Sequence, residues 1–235
     1  IIKISESKNF IFSNVHELGK VIKSYDSMKK HIDSVLDLSL VDVEKIKAKK
    51  IKVVVDAVNS TGGIIVPDFL KELNIEVIKL YCEPNGDFPH NPEPLKKNLT
   101  ELSKMVVECN ADLGIAVDPD VDRLVFVCED GELFGEENTL VACADYVLSK
   151  TPGSTVSNLS SSRALNDISK KHNQSHFYSA VGEVNVVDKM KECNAIIGGE
   201  GNGGVIYPES HYGRDSIVGI GLFLSLYVER GLVAS

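Results

Sequence analysis

The chain has 235 residues, 43% of them hydrophobic and 25% charged, with a formal net charge of −9. That is enough for one large or two modest domains with the apolar share of an ordinary globular protein. The acidic balance excludes generic nucleic-acid binding, which rests on phosphate neutralisation by Lys and Arg, but not a small anion site dominated by one arginine or metal.

Residues 1–25 carry two short strand-like runs, IIKI and FIF, around a polar turn, and the chain opens on Ile1 in mid-pattern. They are expected to be the tail of a preceding domain. Met28, Ile32, Val35 and Leu36 recur at helical spacing, which predicts a helix over 25–36. A second helix is expected over 42–49, with lysines crowding its last turn as the helix dipole favours.

From residue 51 the pattern alternates. Strands are expected at 51–55, 75–80 and 113–117, with helices at 64–73 and 99–109 between them. The stretch 84–94, rich in Pro, Gly and Asn, reads as loop. The turn NSTGG at 59–63 follows the first strand, where helix N-termini often bind phosphate; a plain tight turn fits as well. The fingerprint G-x-G-x-x-G is absent, so no dinucleotide cofactor is expected. Such alternation predicts a mainly parallel sheet with helices on its faces, and ligands collect at the carboxyl ends of its strands.

At one such end lies LGIAVDPDVDRLVFV (113–127). Side chains repeat with period two along extended chain, so Asp118, Asp120 and Asp122 can converge on one face. Three carboxylates that close need a proton or a cation, and a hard all-oxygen set suits Mg2+. Arg123 is placed to meet an anion. An EF-hand would need Gly where Arg123 stands, followed by loop rather than a strand-like run, so that motif is excluded. A haloacid-dehalogenase-type phosphatase, with Asp118 as nucleophile, stays as an alternative, although Asp122 stands where that motif has Thr or Val.

EDGE at 129–132 reads as a hairpin turn, and a helix over 136–148 opens a second unit. Its rhythm repeats the first: strand 154–159, helix 163–172, strand 175–179, helix 185–192 and strand 195–197. The expected fold class is α/β, two consecutive α/β domains, each a mixed, mainly parallel sheet with helices packed on it. The expected boundaries are 1–25, 26–136 and 137–235. After the last strand comes GGEGNGG (198–204), whose glycines let backbone approach a ligand closely. Glu200 and Asn202 are the side chains of that loop, and they offer acceptors and a donor suited to sugar hydroxyls. A flexible hairpin turn is the plainer reading. Cys82, Cys109, Cys128, Cys143 and Cys193 show no C-x-x-C spacing, so reduced thiols in a cytoplasmic protein are expected. No run reaches the length of a membrane span and no signal peptide is visible, so no membrane partner is expected.

DPDVDR (118–123) closely resembles the metal loop of the alpha-D-phosphohexomutases, the superfamily of phosphoglucomutase, phosphomannomutase and phosphoglucosamine mutase, usually written DGDxDR; Pro119 replaces the usual Gly. GEGNG (199–203) resembles the sugar-binding G-E-x-S-G element of the same superfamily, with Asn202 in place of Ser. HNPEP (90–94), GEEN (135–138), VGEVNV (181–186) and YGRDSIVG (212–219) agree as well, so the resemblance runs through nearly the whole chain. It implies the second and third of four domains around a cleft, with the first and fourth as missing partners. The catalytic serine loop of T-A-S-H-N-P type is not in the sequence. By resemblance, Asp118, Asp120 and Asp122 would hold Mg2+ against a phosphoserine and Arg123 would add a cationic contact. Glu200, Asn202 and Gly203 would bind the hexose phosphate, with Arg214 and Asp215 within reach of it. Asp215 as a cap of the last helix is the structural alternative. Ser160, Ser161 and Ser162 stand where many members place a lysine, and Glu183 where some have His, which leaves the general acid/base unassigned. For Ser162 a helix cap is the plainer role. A non-catalytic sugar-phosphate-binding module is the remaining alternative.

Overall fold

The computed structural model describes residues 1–23, 26–231 and 234–235. Among these, helices α1 (Ile2–Ser7), α2 (Ser27–Leu36) and α3 (Val43–Ala48) precede the first sheet. Then follow β1 (Lys52–Asp56), α4 (Gly62–Glu72), β2 (Glu76–Leu80), α5 (Thr100–Glu108), β3 (Leu113–Val117) and β4 (Leu124–Cys128). The second unit runs α6 (Glu136–Lys150), β5 (Thr155–Asn158), α7 (Ala164–Lys171), β6 (His176–Ser179), α8 (Glu183–Cys193), β7 (Ile197–Glu200), β8 (Gly204–Ile206) and α9 (Ser216–Arg230).

The sheets are ordered β2-β1-β3-β4 and β6-β5-β7-β8. In each, the first three strands are parallel and the last is antiparallel to its neighbour. Both units are therefore α/β with mixed, mainly parallel sheets, as the alternation predicts. They share one wiring, which gives two loops equivalent places. The aspartate loop joins β3 to β4, and the glycine loop joins β7 to β8.

Two expectations need correction, and one falls partly outside the described residues. IIKI and FIF are not strands: residues 2–7 are helical, 10–12 join neither sheet, and all of 1–23 are exposed. An apolar run forms a strand only where a sheet edge accepts it. The start of the predicted helix at Tyr25 lies outside the described residues; the helix begins at Ser27. The strand expected at 195–197 instead runs 197–200 and returns as β8, so four of the seven residues of the glycine stretch are sheet.

One apolar cluster spans both units, from Val53 and Phe126 through Leu140 and Phe223 to Ile197 and Val205. Helix α9 is its axis. Phe223 stacks on Phe126 of β4 with ring centroids 3.8 Å apart, while Ile32, Val35 and Val41, from ahead of β1, belong to the same cluster.

Candidate functional site

Asp118 follows β3 directly, and its carboxylate is held before any ligand arrives. Its Oδ1 accepts from the backbone N–H groups of Asp122 and Arg123, both at 3.0 Å. The tight loop sets Val121 at φ 63°, a left-handed backbone that a β-branched residue adopts only when its surroundings enforce it. The enforcement is visible. Ser60 and Thr61 hydroxyls donate to the Pro119 carbonyl at 2.7 and 2.9 Å, and the Val121 carbonyl accepts from Ser216 N–H at 3.0 Å. The NSTGG turn thus buttresses the aspartate loop.

One oxygen from each of Asp118, Asp120 and Asp122 lies within 4.8 Å of the others. Burial, then the charges of Asp122 and Asp120, push the Asp118 carboxyl up to about 7, against the pull of its N–H donors. Asp122 is raised too, burial outweighing the attraction of Arg214. Its Oδ1 is buried and without a hydrogen-bond partner among the described residues. An orphaned buried carboxylate oxygen in an all-oxygen cluster fits a hard divalent cation such as Mg2+. Arg123 closes this loop on its outer side, its Nε 3.7 Å from Asp118 Oδ2 and its Nη1 3.6 Å from Glu93 of the HNPEP loop.

The acidic cluster has a measurable consequence. An acid whose folded pKa is raised holds a proton that the unfolded chain has released, so stability falls with rising pH between the two values. In metal-free buffer the wild type is expected to lose stability from roughly pH 4, the unfolded value, to about 7, the folded one. Asp118→Asn keeps the Oδ1 acceptor and lacks the charge, so it should lose less over that window. Urea melts across it measure the difference, and parallel curves for the two proteins would contradict the assignment.

Glu200 ends β7 and is buried. Asn158, at the end of β5, donates to Glu200 Oε1 at 2.7 Å, and its own Oδ1 accepts from the hydroxyls of Ser160 and Ser161. Ser161 also accepts from Gly201 N–H at 2.9 Å. The serines thus fix the glycine loop through Asn158, a contributor that sequence reasoning missed. Its signal was present: a polar residue closing a strand on the ligand side of a parallel sheet. Asn202 folds back on its own turn, its Oδ1 accepting from Gly204 N–H at 3.2 Å. Ser162 Oγ accepts from Ala164 N–H at 3.3 Å as α7 begins.

Arg214 joins the two loops. Its Nη2 donates to Asp122 at 2.5 Å and its Nη1 to Glu200 at 2.8 Å. Glu183 accepts from the Arg214 backbone N–H at 2.9 Å and lies 3.6 Å from its Nε. Gly203 does the same through backbone: its carbonyl accepts from Leu124 N–H at 3.1 Å. Its φ is 90°, and a Cβ there would lie 2.4 Å from the Leu124 carbonyl oxygen, so only glycine lets the loops touch. Asp215 caps α9, its Oδ1 accepting from the N–H groups of Ile217 and Val218 at 2.8 and 3.2 Å. The structure thus brings Asp118, Asp120, Asp122, Arg123, Glu200, Gly203 and Arg214 together, with Asp215 turned to its helix. A cavity of about 260 Å³, bordered by Thr61, Asp120, Arg214 and Asp215, opens beside them.

Residues 29–131 match the family description "Phosphoglucomutase/phosphomannomutase, alpha/beta/alpha domain II", and residues 136–235 match that of domain III. A phosphoglucomutase/phosphomannomutase of Thermococcus kodakarensis is 35% identical over 96% of this chain and 49% of its own length. A protein of Methanopyrus kandleri, named probable phosphoglucosamine mutase, is 32% identical over 94% of this chain and 48% of its own. The chain therefore spans about half the length of these relatives. The solved structure of a phosphoglucomutase/phosphomannomutase family protein from Burkholderia thailandensis superposes with a TM-score of 0.78 at 26% identity, covering 88% of this chain and 45% of that one. With the aspartate loop, the glycine loop and both sheets accounted for, the chain belongs to the phosphoglucomutase/phosphomannomutase family, as its domains II and III.

Proposed function

We propose that this chain supplies the Mg2+ loop and the sugar-recognition loop of a phosphohexomutase. The intact enzyme would interconvert hexose 1-phosphate and hexose 6-phosphate through a phosphoserine and a bisphosphate intermediate. The observation that carries this is the junction made by Arg214, which holds a carboxylate of the aspartate loop and the carboxylate of the sugar loop at once. Metal and sugar positions are thereby set against each other in one place.

Asp118, Asp120 and Asp122 would hold Mg2+, which when bound supplies positive charge to phosphoryl oxygens. Phosphoryl transfer leaves the protein mainly positioning and charge stabilisation. Arg123 provides a second cation beside the aspartates, with a buried Nε that lacks a hydrogen-bond partner among the described residues. Glu200, oriented by Asn158, accepts from sugar hydroxyls, and Gly203 keeps the backbone close to the ring. The division into 26–136 and 137–235, with 1–25 as the tail of a preceding domain, belongs to the same proposal, as do a first and a fourth domain that complete the cleft. The family matches support it and speak against the phosphatase alternative at Asp118. Among the described residues no helix is long and apolar enough to cross a membrane. A cytoplasmic setting is proposed, supported by five cysteines that are all free.

The test has two arms. Mg2+ should bind the 235-residue chain weakly and Asp120→Asn more weakly still, by calorimetry; equal binding would remove the metal assignment. A longer protein carrying this segment should turn over at least one of the glucose, mannose and glucosamine phosphates. In it, Glu200→Ala should raise KM by roughly ten- to a hundredfold, the range for losing hydrogen bonds to a charged group. The 235-residue chain alone should show no turnover, because orientation of reactants supplies roughly 7–11 kcal/mol of barrier reduction. An inactive longer protein that still binds sugar phosphate would favour the non-catalytic module.

A further inference from the structure

A second cluster of ligating side chains borders the same cavity, and neither the aspartate loop nor the sugar loop uses it. His31 stands on α2, His211 in the loop after β8, and Asp215 at the N-terminus of α9. The Nε2 atoms of His31 and His211 lie 2.8 and 2.9 Å from the same oxygen, Asp215 Oδ2. All three donor atoms fall within 4.8 Å of one another. The two rings are 6.1 Å apart between centroids and tilted by 48°, an arrangement that aims both nitrogens at one point.

From this geometry we infer that His31, His211 and Asp215 form a binding site for a divalent transition-metal ion of the Zn2+ class. The donor set decides the class. Two imidazole nitrogens and one carboxylate oxygen match zinc ligation, whereas Mg2+ and Ca2+ take oxygen. The carboxylate is already oriented from behind: its Oδ1 is committed to the Ile217 and Val218 N–H groups, which leaves Oδ2 to face the rings. Second-shell bonds of this kind fix a ligand's direction in metal sites. A tetrahedral shell with bonds of about 2.0–2.2 Å separates its donors by roughly 3.3–3.5 Å. The rings therefore need to withdraw from Oδ2 by only about half an ångström to admit the ion. To bind the ion, each ring would give up the proton on Nε2, to Nδ1 where the ring is neutral and to solvent where it is charged, and present the Nε2 lone pair.

Three protein ligands leave one tetrahedral position. His31 and Asp215 border the cavity together with Asp120 and Arg214, so water or an anionic ligand can reach that position from the substrate side. The ion also ties α2 to the start of α9, one residue from Arg214. It would be a nitrogen-rich site beside the all-oxygen aspartate site, sharing one cavity and differing in the metal each selects.

The experiment uses the 235-residue chain, stripped with EDTA, titrated by calorimetry with Zn2+ in excess Mg2+, and in parallel by visible absorption with Co2+. One equivalent of Zn2+ should bind, and Co2+ should give the intense visible bands of a tetrahedral site. His31→Ala and His211→Ala should each weaken Zn2+ binding by at least about tenfold, already the scale of second-shell losses. Asp120→Asn should leave the equivalent in place. Zn2+ should raise the melting temperature of the wild type and of Asp120→Asn, and of neither histidine variant. Where an alanine variant melts lower than wild type in EDTA, His31→Gln serves as the folded comparison. Unchanged binding in the histidine variants, loss in Asp120→Asn, near-ultraviolet thiolate bands from cysteine ligation, or no Zn2+ uptake by the wild type would each overturn the site. None of these outcomes depends on mutase activity, so the proposed function and this site stand or fall separately.

Discussion

Replacing Phe126 by alanine is expected to lower the unfolding free energy by about 3–5 kcal/mol, the range for emptying a fully buried aromatic position. Phe126 is 0% exposed on β4 and stacks on Phe223 of α9 at 17° between ring planes. Phe134 meets both rings edge-on, so the void would open inside a three-ring cluster. The loss reaches beyond one sheet, because these contacts join the first sheet to the last helix of the second unit. Denaturant melts should show a lower midpoint. Phe177→Ala, at an exposed position of β6, should change stability by about 0.5 kcal/mol at most. A Phe126→Ala loss below about 1 kcal/mol would show that the two units do not depend on this stack.

Arg214→Met is expected to be as damaging, by about 3–5 kcal/mol near neutral pH, because it strips one partner from a buried ionic group. Only 13% of the Arg214 side chain is exposed, against 17% for Asp122 and 8% for Glu200. Methionine keeps much of the volume and none of the charge. The remaining carboxylates then repel one another, and Asp122, already raised by burial, is raised further. The folded variant binds more protons than its unfolded chain above the ordinary carboxylate range, so stability should return as the pH falls toward it. Added Mg2+ should recover part of the loss by supplying the missing positive charge. Melts of the variant with and without Mg2+ at two pH values measure both effects. A variant as stable as wild type in metal-free neutral buffer would show that the bridge adds nothing.

Much of this was legible in the residues. Alternation placed the strand before Asp118 at its observed bounds, since a five-residue apolar run ending in carboxylates has few other solutions. Strand β8 was not legible, because three residues after a glycine run leave almost no pattern. The glycines themselves misled. They signal loop by composition, yet Gly199 belongs to a strand in which a Cβ would lie 1.9 Å from the Gly204 carbonyl oxygen. IIKI misled in the opposite sense, apolar enough for a strand but with no sheet beside it. The site divided along the same line. Asp118, Asp120, Asp122 and Glu200 announce themselves by spacing and strand ends. Arg214 could be named, but its grip on Asp122, 92 residues away, is a product of packing. Asn158 behind Glu200, and His31 beside Asp215, likewise owe their roles to neighbours that sequence does not place.

The continuous core that passes from Phe126 to Phe223 has a consequence for ligand affinity. With Leu124 bonded to Gly203 and one apolar cluster beneath both sheets, the interval between the aspartate loop and the glycine loop is set when the chain folds. A ligand that touches both loops would not have to immobilise one wall against the other. The entropy of aligning them has already been lost, so more of the contact energy remains as affinity.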